Sequence, residues 1–331
     1  MTYTADLINR LFSLKGNSDF DGLSLEVFRF QYENNRVYQQ FCKALDCSPG
    51  TVDRVEDIPF MPVSLFKTRR VVSFEGEPDI VFKSSGTTGS ERSAHAVADL
   101  SVYEQSLFTC FHQFYGHPSG YCILALLPGY LERSDSSLVY MTRRLIEESG
   151  HPHSGFYLHE MQTLSETLQH LMEGGEKIFL LGVSHALLDL AEQYPGALKN
   201  AIVMETGGMK GRRREIVREE LHKWLSNAFS QEDIHSEYGM TELLSQAYSK
   251  GGGLFECPPW MRILVRDTND PLTVNESRRA GGINVIDLAN IYSCSFIATE
   301  DIGRKLPDGR FEVIGRLDNS DVRGCNLMVV E

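Results

Sequence analysis

Tyr121-Cys122-Ile123-Leu124-Ala125-Leu126-Leu127-Pro128 is the longest apolar run in the chain. A membrane helix needs roughly 20 apolar residues, so this run spans no bilayer and reads as a strand buried on both faces. Outward from it, strands alternate with helices. Ile80 to Phe82, Lys177 to Leu181 and Ala201 to Glu205 read as further strands. Leu100 to Phe114, Ser136 to Ser149, a segment starting near Ser184, and Arg212 to Leu225 read as helices. Such alternation predicts an α/β fold whose sheet is mainly parallel, with helices on its faces. Ligands on such sheets sit in the loops at the carboxyl ends of the strands.

The flanks read differently. Residues 1–58 are predicted to be helical, with Leu25, Phe28, Tyr32 and Phe41 at helical spacing. Ile58-Pro59-Phe60-Met61-Pro62 is extended, because proline biases its predecessor away from helix. Residues 59–230 form the α/β core. Residues 231–331 read as a β-rich subdomain, with strands at Ile234–Glu237, Met261–Val265, Gly282–Leu288, Phe296–Thr299 and Phe311–Ile314. Gly251-Gly252-Gly253 and Gly281-Gly282 mark turns.

Composition narrows the function classes. The 331 residues are 42% hydrophobic and 23% charged, ordinary for a soluble globular protein, and carry a net charge of −13. That charge argues against a broadly basic nucleic-acid surface while leaving room for a local phosphate site. The opening MTYTADLINRLF lacks the charged start and apolar run of a secretory signal and reads as an amphipathic helix. The seven cysteines are odd in number and contain no C-x-x-C, which favours a reducing, cytoplasmic setting over a disulfide framework or zinc knuckle.

Four stretches carry candidate chemistry. Lys83-Ser84-Ser85-Gly86-Thr87-Thr88-Gly89-Ser90 follows a strand; its glycines let backbone amides approach an anion and its hydroxyls add donors. Met204-Glu205-Thr206-Gly207-Gly208-Met209 ends a strand in paired glycines, against which a flat ring can lie. His235-Ser236-Glu237-Tyr238-Gly239-Met240-Thr241-Glu242 offers a stacking face, a hydroxyl and a carboxylate able to share a magnesium ion with phosphates. Thr299-Glu300-Asp301-Ile302-Gly303-Arg304, with Gly315-Arg316-Leu317-Asp318, offers a carboxylate for ribose hydroxyls and a guanidinium for ribose or phosphate. Taken singly, each reads more readily as an ordinary turn or strand end.

In this order the four stretches resemble the adenylate-forming superfamily of acyl-CoA synthetases, peptide-synthetase adenylation domains and luciferases, over roughly residues 58 to 331. The resemblance implies the large N-terminal domain of those enzymes, ATP and Mg2+ as cofactors, and conversion of a carboxylic acid to an acyl-AMP. It places Ser84, Ser85, Gly86, Thr87, Thr88 and Gly89 around the β and γ phosphates. Gly207 and Gly208 would lie against the adenine, with Tyr238 stacked on it and Gly239 and Met240 beside it. Thr241 would contact the α-phosphate, Glu242 would hold the metal, and Asp301 and Arg316 would hold the ribose. The superfamily loop usually continues Gly-x-Pro-Lys; here Gly89-Ser90-Glu91-Arg92-Ser93 follows, and Arg92 stands as the candidate replacement cation.

Ile58-Pro59-Phe60-Met61-Pro62-Val63-Ser64-Leu65-Phe66-Lys67 and Arg323-Gly324-Cys325-Asn326-Leu327 look more narrowly like LuxE-type acyl-protein synthetases. That likeness implies a short enzyme without the usual C-terminal domain and its lysine, ending here in a truncated hinge tail. It implies a fatty acid as substrate and acyl transfer to Cys325, then to a reductase-like or acyl-carrier partner. Two alternatives stand beside it: an acyl-CoA ligase completed by a partner's C-terminal domain, and a non-catalytic nucleotide-binding subunit.

Overall fold

The computed structural model describes residues 3–15, 17–85, 91–127, 135–157, 160–207, 216–274 and 280–317. Helices α1 (Tyr3–Leu11), α2 (Asn17–Asn34) and α3 (Arg36–Ala44) open the chain, followed by strand β1 (Met61–Pro62) and helix α4 (Leu65–Thr68). A hairpin of β2 (Ile80–Lys83) and β3 (Ala94–Val97) comes next. The alternating region runs α5 (Leu100–Tyr115), β4 (Cys122–Leu126), α6 (Ser137–Ser149), β5 (Gly155–Phe156), α7 (Met161–Glu173), β6 (Ile178–Val183), α8 (Ser184–Gln193), β7 (Ala201–Thr206) and α9 (Arg218–Phe229). The remainder is β8 (His235–Tyr238), β9 (Ala247–Ser249), β10 (Leu254–Glu256), β11 (Met261–Arg266), β12 (Gly281–Asp287), β13 (Phe296–Lys305) and β14 (Phe311–Arg316).

One twelve-stranded sheet crosses the molecule in the order β11-β12-β13-β14-β10-β9-β8-β7-β6-β4-β5, with β1 paired to β13. From β5 to β8 the strands are parallel. Beyond β8 every ladder along that order is antiparallel. The expected parallel sheet is thus one half of a mixed sheet, and the β-rich portion continues it without a break. The parallel strands serve two cores by alternation. Ile123, Phe179, Leu181 and Met204 enter one core, which also takes in α1 to α3. Leu124, Leu126, Ile178, Leu180 and Val203 enter the other, under α7, α8 and α9.

Helix boundaries follow capping chemistry. Asp99 caps α5 by accepting from the Ser101 amide, and Gly116 ends it at φ 80°. Ser136 caps α6 by accepting from the Val139 amide, and left-handed Gly150 stops it. Sequence reading starts the ninth helix at Arg212; its described start is Arg218, because Val217 is extended, and Glu219 and Glu220 then occupy the favourable first turn. Residues 211–215 lie outside the described set.

The N-terminal helices are hydrogen-bonded to the far end of the chain. Gln31 Nε2 donates to the Asn290 and Ile291 carbonyls at 3.0 Å each, and the Ser295 amide donates back to Gln31 Oε1 at 2.9 Å. Asn35 Nδ2 donates to the Ser293 carbonyl at 2.9 Å. These residues bind the turn between β12 and β13.

Candidate active site

Two adjacent parallel strands bring the second and third stretches side by side. β7 pairs with β8 so that Thr206 lies opposite Glu237, and Gly207 and Tyr238 lie next to each other at the carboxyl ends of the two strands. Gly207 has φ 65°, a conformation that disfavours any side chain. Its carbonyl accepts from the hydroxyl of Ser184, the first residue of α8. Behind it, buried Glu205 accepts from Ser184 and Arg218 at 3.2 Å each, with His222 at 3.5 Å. Burial would raise the Glu205 carboxyl; the His222 and Arg218 partners outweigh it and lower it.

Glu237 accepts from the Thr206 hydroxyl. Burial pushes its carboxyl up to about 7, against that hydrogen bond and with the help of neighbouring Glu205. A Cβ on Gly239 would lie 2.3 Å from Glu237 Oε1, so the glycine leaves space for the carboxylate folded beneath it.

The third and fourth stretches meet at Tyr238. Its hydroxyl donates to Asp301 Oδ2 at 2.8 Å across 63 residues of sequence. The ring is 8% exposed and packs edgewise on Phe255 and Phe311, with centroids 5.9 and 5.6 Å away. Asp301 and Arg316 are register partners on β13 and β14, just before a bulge at Ile302/Gly303. Arg316 Nε is 3.6 Å from Asp301 Oδ1, and its guanidinium also reaches Glu300 at 3.3 Å. Burial raises the Asp301 carboxyl; Tyr238 and Arg316 oppose this only in part. Buried Arg266 donates to the Thr299 carbonyl at 2.6 Å, and its charge also pulls the Asp301 carboxyl downward.

The first stretch joins through its base. The Ser84 amide donates to the Ser93 carbonyl, and the Ser93 amide to Ser84 Oγ, both at 3.0 Å. Buried Glu242 hydrogen-bonds to Ser93. Burial raises the Glu242 carboxyl, opposed by Ser93 and by the charges of Lys67 and Arg316. Arg92, the expected replacement cation, is half-buried. It donates to the Ser84 carbonyl at 2.6 Å and pairs with Asp135 at 3.1 Å, closing the loop base.

Of the residues expected at the site, Gly207, Tyr238, Gly239, Thr241, Glu242, Asp301 and Arg316 gather around this sheet edge, with Ser84 at the loop base. Ser85 is exposed, and half-buried Met240 has its sulfur 4.0 Å from the Tyr238 hydroxyl. Gly86, Thr87, Thr88, Gly89, Gly208 and Cys325 lie outside the described residues. Among the described residues, no cluster of three His, Cys, Asp or Glu could hold a metal by itself. A lone carboxylate such as Glu242 fits magnesium, which takes its other ligands from phosphate and water.

Sequence reading misses the residues that hold this edge from behind. Asp287, fully buried, accepts from the Leu244 and Ser245 amides at 2.8 and 3.0 Å, the Ser245 hydroxyl at 2.6 Å and the Ala289 amide at 3.2 Å. His95 and Asn290 hold the Thr241 and Glu242 carbonyls. Asp287 ends a strand that already carries the polar Asn284, so its neighbourhood in the sequence does not mark it out.

The fold is that of the adenylate-forming enzymes. An open-conformation structure of 2-hydroxyisobutyryl-CoA ligase, in complex with 2-HIB-AMP and CoA, superposes with TM-score 0.68 at 10% identity, covering 92% of this chain and 72% of that one. ATP-bound MatB from Rhodopseudomonas palustris superposes with TM-score 0.55 at 15% identity, covering 73% of this chain. The chain spans about half the MatB chain's length, 49%.

In sequence, the chain resembles LuxE-type acyl-protein synthetases. The family model described as "Acyl-protein synthetase, LuxE" matches residues 16–107. The long-chain-fatty-acid–luciferin-component ligase of Vibrio harveyi is 24% identical over 330 residues, covering 91% of this chain and 84% of that protein. Among the described residues no helix is long and apolar enough to cross a membrane.

Proposed function

We propose that the chain activates a carboxylic acid with ATP. A carboxylate oxygen attacks the α-phosphorus, the bond to the β-phosphate oxygen breaks, and acyl-AMP and pyrophosphate result. The observation that carries the reading is the 2.8 Å hydrogen bond from Tyr238 to Asp301, with Arg316 beside it. It joins two of the nucleotide motifs at the strand edge where Gly207 leaves the sheet.

In this reading Asp301 and Arg316 hold the ribose, and Gly207, Gly208, Tyr238, Gly239 and Met240 frame the adenine. The Ser84–Gly89 loop encloses the outer phosphates. Thr241 contacts the α-phosphate, and Glu242 supplies a carboxylate to magnesium. When bound, magnesium neutralises charge developing on the phosphates. The residues themselves supply positioning: a carboxylate held in line with the departing pyrophosphate needs little further help.

The relative's name supports a long-chain fatty acid as substrate. The second half-reaction we assign to Cys325: its thiolate attacks the acyl carbonyl, AMP departs, and the acyl thioester passes to a reductase-like or acyl-carrier partner. Carboxylate-dependent ATP–pyrophosphate exchange tests the first step. Asp301→Ala removes a charged hydrogen-bonding group of a kind worth about 1.5–3 kcal/mol, so the KM for ATP should rise roughly tenfold or more. A wild-type chain that exchanges with no acid across a chain-length series refutes the reading. For the second step, a radiolabelled acid should leave a hydroxylamine-labile label on the protein. Cys325→Ala should lose that label while exchange continues; full labelling of the variant would exclude Cys325.

A further inference from the structure

Thr241 and Glu242 present two successive backbone carbonyls to the protein interior, and each is held by a buried side chain from a distant element. His95 Nδ1 lies 2.8 Å from the Thr241 carbonyl. Asn290 Nδ2 donates to the Glu242 carbonyl at 2.7 Å and to the Cys294 carbonyl at 3.0 Å. His95 sits on β3, immediately beyond the Ser84–Ser93 loop; Asn290 sits in the turn after β12. Both are 1% exposed.

The chemistry fixes the donors. A carbonyl only accepts, so His95 Nδ1 must carry the ring proton. Burial pushes the imidazole down to about 4, outweighing the Thr241 carbonyl and the neighbouring Asn290 carboxamide, so the ring is neutral with its single proton on Nδ1. The Asn290 carboxamide also neighbours the His95 ring. Both residues border one small cavity of about 10 Å3 with Leu244 and Tyr292. Two buried polar side chains thus direct their donors to consecutive carbonyls of one short segment. The His95 ring packs edge-on to Phe66, with centroids 5.7 Å apart.

We propose that His95 and Asn290 are positioning residues for nucleotide activation, clamping the Thr241–Glu242 backbone so that the hydroxyl and carboxylate meet magnesium–ATP in fixed geometry; this rests on the acid-activation reading above. The clamp also ties the phosphate loop to that backbone, because β3 continues directly from the loop.

The test uses the full chain and three variants. His95→Phe keeps the ring volume and the Phe66 contact but removes the donor. His95→Asn restores a donor in the place of Nδ1. Asn290→Asp removes both donations. Calorimetry measures ATP binding with and without magnesium, and pyrophosphate exchange with dodecanoate gives kcat and KM. The clamp predicts that His95→Phe and Asn290→Asp lose at least fivefold of the magnesium-dependent gain in ATP affinity and at least tenfold in kcat, with magnesium-free ATP binding within threefold of wild type. His95→Asn should recover to within about threefold. Equal magnesium dependence in His95→Phe and wild type, or no recovery in His95→Asn, overturns the clamp. Should His95→Phe fail to fold, Asn290→Asp decides by the same measurements. A wild type that binds magnesium–ATP yet exchanges with no acid defeats acid activation alone, since the calorimetry still decides the clamp.

Discussion

Asp287→Ala is the substitution whose cost the structure sets most clearly. The carboxylate is fully buried and receives hydrogen bonds from three backbone amides, those of Leu244, Ser245 and Ala289, and from the Ser245 hydroxyl. Ser245 Oγ has other company: Trp260 Nε1 donates to it at 2.9 Å, and Ser106 Oγ lies 3.0 Å away. The hydroxyl can turn to Ser106, so its loss of Asp287 is cheap. The three amides cannot turn. At about 1–3 kcal/mol for each buried donor left without an acceptor, the gross cost is about 3–9 kcal/mol. Removing a carboxylate that burial already penalises offsets part of it, leaving an expected loss of about 3–5 kcal/mol. Asp287→Asn keeps one acceptor oxygen and should lose about 1–3 kcal/mol. Urea unfolding followed by tryptophan fluorescence checks the order wild type, Asn, Ala. The Leu244–Ser245 segment begins two residues beyond Glu242, so exchange activity should fall in the same order under native conditions. An alanine variant within 1 kcal/mol of wild type would refute the view that this carboxylate fixes the segment.

Glu237 titrates near 7 in the folded chain, raised by burial, and near 4.5 once unfolded. The folded form therefore holds its proton longer: stability is full below pH 4.5 and falls as pH rises through 7, by about 3 kcal/mol. Glu237→Gln should flatten that slope in urea midpoints from pH 5 to 8; an unchanged slope contradicts it. Gly239→Ala places a Cβ against the Glu237 carboxylate and should cost about 1–3 kcal/mol and weaken ATP binding, read by calorimetry. Tyr238→Phe removes only the hydroxyl that meets Asp301 and should raise the KM for ATP less than Asp301→Ala does, since the ring and the carboxylate both remain.

The parallel half of the fold is legible because β4, β6 and β7 are apolar throughout or nearly so, a signature of strands covered on both faces. The short strands β9 and β10 are not legible, since Ala-Tyr-Ser and Leu-Phe-Glu carry too few residues to show a period. β3 is hidden by His95 in its middle. Sequence reading stops the strand at Thr299 because Glu300 and Asp301 look like a polar loop; in the structure pairing with β14 carries β13 on to Lys305. α7 places Leu164, Leu168 and Leu171 at helical spacing, a signal that reading by strand–helix alternation passes over. Motif order brings Tyr238, Asp301 and Arg316 to one place on paper, and the register of β13 against β14 brings them together in space. His95, Asp287 and Asn290 act through backbone carbonyls and amides, and no local pattern in their own neighbourhoods announces partners 146, 42 and 48 residues away.

The bonds from Gln31 and Asn35 to residues 290–295 give the opening helices a duty that their own residues do not advertise. Those helices fasten the turn from which Asn290 reaches Glu242. A version of this protein shortened to begin at the first strand would keep every motif and lose the fixture that aims one of them. Errors introduced near position 31 should therefore surface as faulty handling of magnesium–ATP, far from where the sequence was changed.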